Sequence, residues 1–541
     1  MPVAPFNNAR SPIYARDGMA CSSQALAAAV GRDILKAGGN AADAAVAMAA
    51  MVNVTEPMMN GLGGDTFMLV HRDGEIFGLN GSGHSGSRMT LDAVKRDHGD
   101  AMPQAGAATV SVSGALDGYL ALHERFGSMD LADLVEPAAS HAEHGYPVGF
   151  KIARVWAWGA SKLQRFSPNA NDYLPGGKAP EAGSIFRQPD LARTWRRIGQ
   201  EGRTAFYAGE VRERIVELVQ KNGGYLEAKD FDAKQAEWVE PIRGRYRGKT
   251  ILELPPNGQG VIVLEALAML EGFDLAAIFA ADEVQACHLV LEAIKLAFAD
   301  AAAYVADPRF LKGPMECLLD PAVVAGRRGQ IDRDHARDNP PCGRVYGDTT
   351  YFTVVDRNRM AVSLITSISD VFGSGMIVPG TGIILHNRLA DFSLVEGHPN
   401  AAAPGKRVRH TILPSMMLDE QGALAMTFGC MGANMQPQGQ VQILVNLLDR
   451  GMNLQQALDA PRVRVLDGRR ISVEPHPTID LAARLGAMGH VVDTGESVPE
   501  DWTKPHDFMR SFEGSAQAIM LGKESLCGAS DPRLDGIAVG V

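Results

Sequence analysis

The chain reads as a mixed α/β (α+β) fold, with helices and sheets sharing one polypeptide. Three observations point there. Ala-rich apolar runs at helical spacing fill much of the first sixty residues. The middle, from about Leu116 to Gly329, continues mainly helical. From Thr349 the texture changes to β-rich segments joined by a short polar turn.

In order, Ser22 to Ala37 has apolar residues at helical spacing and is stopped by Gly38-Gly39. Ala41 to Val54 is a second apolar helix, and its alanines imply close packing. A Gly-rich turn at Gly61, Gly63 and Gly64 feeds a strand at Thr66 to His71. Ile76 to Leu79 is its partner, turned at Arg72-Asp73-Gly74. Leu191 to Gly199, Val211 to Lys221 and Ala281 to Tyr304 are helical, with Pro255-Pro256-Asn257-Gly258 as punctuation between them. Gln330 to Tyr346 is charged, carries two prolines and lacks periodicity, so an exposed loop is expected. Strands at Thr349 to Val355 and Met360 to Thr366 follow it, with a turn at Asp356 to Arg359. A loop opening onto a hairpin is a place where a chain can be cut without unravelling its core.

Composition narrows the functions. The 541 residues are 46% hydrophobic and 21% charged, as in a globular protein with a large core. A net charge of −11 disfavours nucleic acid and anionic membrane surfaces as partners. No apolar run spans a bilayer, and the first residues lack the layout of a signal peptide. The six scattered cysteines form no CxxC pair and fit free thiols in a reducing cytoplasm. No GxSxG elbow, phosphate loop, HExxH or other zinc spacing is present, so no metal or cofactor is expected. GLGGD lacks dinucleotide-binding spacing and reads as a packing turn. Met58, Met59, Met416 and Met417 read as core.

The Asp348-Thr349 junction carries the candidate chemistry. A threonine at a chain start needs no histidine, because its own α-amine can take the hydroxyl proton. Before cutting, that amine is an amide. The hydroxyl must therefore first attack the preceding carbonyl to form an ester, which water opens. On composition alone Thr349 reads as an ordinary strand threonine.

The segment TTYFTVVDRNRMAVSLITSISDVFGSGMIVPGTGIILHNRLADFS resembles the start of the small subunit of γ-glutamyltransferases (glutathione hydrolases). AGGNAADAAVA, NGLGGDTF, FYAGE, LPPNGQG, DAPRVRV and GASDPRLDGIA extend the resemblance over nearly the whole chain. It implies a four-layer αββα sandwich of the N-terminal-nucleophile hydrolase type. It also implies cleavage between Asp348 and Thr349 into a large subunit, 1–348, and a small one, 349–541. The two would form a heterodimer, with a dimer of heterodimers left open.

By that resemblance Thr349 is the nucleophile and Ser367 steadies it. Gly432 and Ala433 supply oxyanion-hole amides, with Ala433 tolerable there if its φ is negative. Ser369 replaces an asparagine that helps hold the substrate's α-carboxylate or amine, and Asp391 matches the acidic residue that pairs with its α-amine. The departures bear on the substrate. No arginine lies between Phe77 and Ser87, where the family clamps a carboxylate, and His84 is a weak substitute. His410 and Thr411 replace a serine pair, Tyr351 a histidine, Arg359 and Met360 the usual turn residues, and Ala301 an arginine. Arg388 replaces a neutral amide and could bind an acid group. The expected activity is therefore an acyl-enzyme amidohydrolase or acyltransferase acting on γ-glutamyl compounds. The same chemistry on a non-glutamyl amide is the alternative. An unprocessed binding protein is disfavoured by the intact Thr349, Ser367 and Gly432.

Overall fold

The computed structural model describes residues 10–311, 313, 315–338, 348–493 and 513–541. Two seven-stranded sheets form its centre. The first runs Ile537–Gly540, Met19–Ser22, Asp348–Val355, Ala361–Ser369, Asp65–Arg72, Glu75–Gly81, Glu237–Val239. The second runs Ile13–Ala15, Leu526–Ser530, Ser515–Leu521, Leu424–Met431, Pro414–Leu418, Lys249–Glu253, Ile242–Tyr246. All neighbours in both are antiparallel. Each sheet mixes strands from before and after Thr349.

Side-chain alternation along the strands divides the core into three layers. Phe352, Val354, Val362 and Leu364 face Ala-rich helices, including Ala25–Lys36 and Ala41–Thr55. Tyr351, Val355, Phe67 and Ile365 meet Met416, Leu252 and Ile519 between the sheets. Met417, Met426 and Phe428 face Val261–Leu270, Glu283–Tyr304 and Met435–Leu448. The layering is helix–sheet–sheet–helix, as the resemblance implies. The helix Ala41–Thr55 is buried at every position, and its alanines allow that close approach. Asn40 and Asp43 close a capping box at its start, an arrangement worth about 1 kcal/mol. Met58, Met59, Met416 and Met417 are all core.

The middle is less helical than its sequence suggests. Ile242–Tyr246 and Lys249–Glu253 form a hairpin at one edge of the second sheet. Ile242 and Tyr246 alternate with the exposed Arg243 and Arg245, as the edge strand requires, whereas the inner strand buries the adjacent Ile251 and Leu252; Gly244 and the charged residues hid the pattern. Ala281 to Tyr304 divides into Leu275–Ala281 and Glu283–Tyr304, with Asp282 capping the second. Ala301 lies fully buried in that second helix. Of the expected loop, 330–338 is described and mostly exposed. Residues 339–346, with Cys342, lie outside the described residues. The five described cysteines are free. Among the described residues no helix is long and apolar enough to cross a membrane.

Candidate active site

The register of Asp348–Val355 creates the site. Met19–Ser22 pairs only with 352–355 of that strand, so 348–351 has a strand neighbour on one side alone. A bulge between Asp348 and Thr350 sets Thr349 apart from the regular ladder. Thr349 is 1% exposed. Its Oγ1 lies 3.4 Å from Ser367 Oγ and accepts from Gln436 Nε2 at 3.3 Å. Gln436 Oε1 accepts the Leu413 amide at 2.9 Å, which fixes the amide nitrogen toward Thr349. Contacts this long align a hydroxyl loosely and leave it room to move toward a carbonyl.

Ser367 Oγ accepts the Ser369 amide at 2.8 Å and Arg388 Nη2 at 3.2 Å. Arg388 Nη1 donates to Thr411 Oγ1 at 3.1 Å, and its Nε lies 3.5 Å from Asp65 Oδ2. Arg388 is 2% exposed. It is a buried member of the site rather than a surface residue.

Asp65 is the anion at the centre. Its Oδ2 lies 3.2 Å from His386 Nδ1 and 3.0 Å from His410 Nε2, and its Oδ1 accepts the Gly83 amide at 2.9 Å. Burial pushes the carboxyl up, but His386 first and then His410 outweigh that and hold it well below the usual range. Burial and the Arg388 charge push His410 down to about 3, so it is neutral. Its Nδ1 accepts the Ile412 amide, which leaves the proton on Nε2 facing Asp65. A chain of contacts thus runs from Asp65, ion-paired with Arg388, through the hydrogen bonds of Arg388 to Ser367 and of Ser367 to Thr349.

The GLGGD turn is a packing turn beside this chain. A Cβ on Gly64 would fall 2.3 Å from Ser367 O, and one on Gly63 2.0 Å from Ile384 O. Only glycine lets the turn run so close to both strands. On the other face of the strand, Thr350 Oγ1 donates to Glu56 Oε2 and accepts from Asn60 Nδ2, each at 2.6 Å.

Gly432 and Ala433 form the turn into Met435–Leu448. The Gln436 amide bonds Ala433 O at 3.1 Å, so the side chain that reaches Thr349 leaves from this turn. The condition set for Ala433 is not met. Its φ is +52, in the left-handed region, where an L-residue costs about 1–2 kcal/mol. Gly432, at φ +113, is suited to its place. Ser369 is also left-handed, at φ +83, and pairs with Asp348 across the bulge.

Asp391 follows Arg388 on the same 3₁₀ turn, Arg388–Asp391, and lines a neighbouring cleft of about 400 Å³. His84 is held elsewhere. Its ring bonds Gln235 Oε1 at 2.8 Å and Arg407 Nε at 3.1 Å. Burial and the Arg407 charge push it below the usual histidine range. Tyr351 is core rather than site. It is fully buried, bonds Ser363 and packs flat on Gly429, where any Cβ would meet its ring at 2.4 Å.

Sequence reasoning missed Asp65, His386 and Gln436. Asp65 and His410 are 345 residues apart, so no spacing announced them. His288, Glu292 and His490 also converge, with ligand atoms within 4.8 Å of one another. There Lys295 Nζ lies 2.8 Å from Glu292 and 3.4 Å from His490, so an ammonium already provides the balancing charge.

The model of the gamma-glutamyltranspeptidase family matches residues 27–541. A glutathione hydrolase-like YwrD proenzyme of Bacillus subtilis (strain 168) is 36% identical, over 97% of this chain and 98% of its own. An acylase ACY 1 proenzyme of Pseudomonas sp. (strain SE83) is 34% identical, over 100% and 96%. The crystal structure of cephalosporin acylase from Bacillus halodurans superimposes with a TM-score of 0.90 at 38% identity, covering 100% of this chain and 99% of that one. With the layered fold and the placement of Thr349, these matches establish that the chain belongs to the gamma-glutamyltranspeptidase family.

Proposed function

We propose that the chain is a precursor that cuts itself before Thr349 and then works as an N-terminal-threonine amidohydrolase. The carrying observation is the Thr349 hydroxyl, buried at a strand bulge between Ser367 and Gln436. In processing, Thr349 Oγ1 attacks the carbonyl carbon of Asp348. The Asp348–Thr349 C–N bond breaks, an ester forms, and the amine takes the hydroxyl proton. Water hydrolyses the ester, leaving the Asp348 carboxylate and a free Thr349. In turnover that α-amine takes the Oγ1 proton while Oγ1 attacks the substrate acyl carbon. The proton passes to the leaving amine, and water or an acceptor amine resolves the acyl-enzyme. Gly432 and Ala433 amides would hold the oxyanion, whose loss typically costs about 3 kcal/mol of barrier.

The acyl group is the open part of this reading. Asp391 in its cleft favours a γ-glutamyl head, whose ammonium it would pair. The Arg388–Thr411–His410–Asp65 chain favours a non-glutamyl amide. Its groups already bond one another where the family's serine pair would meet a carboxylate.

Intact mass under denaturing conditions tests the core claim. Wild type should give two fragments, 1–348 and 349–541, and Thr349→Ala one chain of 57.8 kDa. An uncut wild-type chain would end it.

A further inference from the structure

Thr349 Oγ1 has a buried neighbour that is neither acid nor base. Gln436 lies in the first turn of Met435–Leu448 and is fully buried. Its Nε2 donates to Oγ1 at 3.3 Å, while Oγ1 itself donates to Ser367 Oγ at 3.4 Å. A carboxamide neither gains nor loses a proton near neutral pH. Gln436 therefore acts on Oγ1 only through this hydrogen bond.

Backbone groups hold the donor in place. The Leu413 amide bonds Gln436 Oε1 at 2.9 Å, and Gln440, one turn on, donates to Leu413 O at 3.0 Å. On the helix's other flank Gln438 Oε1 accepts the Val465 amide at 2.7 Å, and Gln442 Oε1 the Val463 amide at 3.0 Å. Each of these two also donates its Nε2 to the carbonyl of the same residue, at 3.1 and 2.8 Å. Four glutamines thus pin the helix on both sides. The N–H aimed at Oγ1 needs no reorganisation when charge appears there.

The bond matters most at one step. During attack Oγ1 gains a bond to carbon as it loses its proton, so its charge changes little. In the ester it is a weak acceptor. When it is expelled it carries developing negative charge, and a donor already in place then tightens its hold. We propose that Gln436 is a catalytic residue for ester hydrolysis, its Nε2 stabilising Thr349 Oγ1 as the leaving oxygen. In processing, the α-amine takes a proton from water while the water oxygen attacks the carbonyl carbon of Asp348. The C–Oγ1 bond breaks, and the amine returns that proton to Oγ1. Gln436 keeps its own protons throughout. The same oxygen leaves from the acyl-enzyme, so turnover uses the same contact. The inference rests on Thr349 as the nucleophile.

Self-cleavage of the full chain tests it, followed on denaturing gels after cell-free synthesis, with and without hydroxylamine. Gln436→Met should slow cleavage about ten- to hundredfold. Ester formation should survive. Hydroxylamine, which opens esters far faster than water, should then restore most of the rate and leave a hydroxamate on Asp348. Gln436→Glu keeps the shape and the Leu413 bond but sets a carboxylate oxygen where the donor stood. Above neutral pH it should behave alike, and it decides the matter if Gln436→Met does not fold. Unchanged cleavage in the variants overturns the proposal. So does slowing that hydroxylamine fails to relieve, which marks a merely structural role. An uncut wild-type chain instead overturns the assignment of Thr349, and Gln436 with it.

Discussion

Glu56 offers a test worked from burial. It is fully buried beneath Thr350, accepting that hydroxyl at 2.6 Å and the Ser23 hydroxyl at 3.1 and 3.2 Å. Burial pushes its carboxyl from the ordinary 4.5 up to about 7, and the two hydroxyls pull part of the way back. In the unfolded chain the group ionises near 4.5, so between 4.5 and 7 the folded state holds more protons than the unfolded. Its contribution to stability is therefore fully present below 4.5 and lost as pH rises through about 7. The interval corresponds to about 3 kcal/mol. Glu56→Gln keeps the shape and removes the titration. On the uncut Thr349→Ala background, urea unfolding of both chains should be compared from pH 5 to pH 8. At the low end Glu56→Gln should be neutral or lose about 1 kcal/mol from an imperfect hydrogen bond. By pH 8 the wild type should have lost up to about 3 kcal/mol that Glu56→Gln keeps, so the variant's stability relative to wild type rises by that amount between pH 5 and pH 8. Glu513, pushed up to about 7, and Glu265, to about 9, titrate in both chains and cancel in the difference. A difference that stays flat from pH 5 to pH 8 would show that Glu56 ionises as if exposed.

Two further tests concern packing and charge. Gly429→Ala drives a methyl into the Tyr351 ring and should cost about 1–3 kcal/mol in unfolding; Tyr351→Ala in the same chain should recover part of it, and an equal loss in both contexts would clear the ring of blame. Arg388→Met strips Asp65 of its guanidinium and Ser367 of a donor, which should cost about 3–5 kcal/mol and slow self-cleavage on denaturing gels. Combined with Asp65→Asn the loss should fall short of the sum by at least about 1 kcal/mol, and strict additivity would break the link between them.

What was legible in the chain follows from the range of each interaction. The Ala-rich helices and the hairpin after Thr349 declare themselves by local periodicity, and the observed bounds, Ala41–Thr55 and Asp348–Val355, lie within a residue or so of the reading. The hairpin of Ile242–Tyr246 and Lys249–Glu253 did not, because an edge strand buries one face only and its arginines read as helix surface. Thr349 stood out through family motifs, not through composition. The charge network around it could not be read, because Asp65, His386 and His410 meet only when strands from both ends of the chain pair. Ala433 misled for a different reason: its identity suggests an ordinary φ, and only the turn into Met435–Leu448 imposes the left-handed one.

The interleaving of strands from both sides of Thr349 has a consequence for the order of events. Asp348–Val355 lies between Met19–Ser22 and Ala361–Ser369, and the latter is followed by Asp65–Arg72. Neither of the two fragments of the proposed cleavage owns a complete sheet. Made separately, each would present rows of unsatisfied strand edges and would meet its counterpart only as a sticky, half-built object. The peptide bond at the junction is therefore needed as a tether until both sheets are closed, and is expendable afterwards. Under the proposed cleavage, folding comes first and scission second, and the scission is a release of the amine rather than a parting of the pieces.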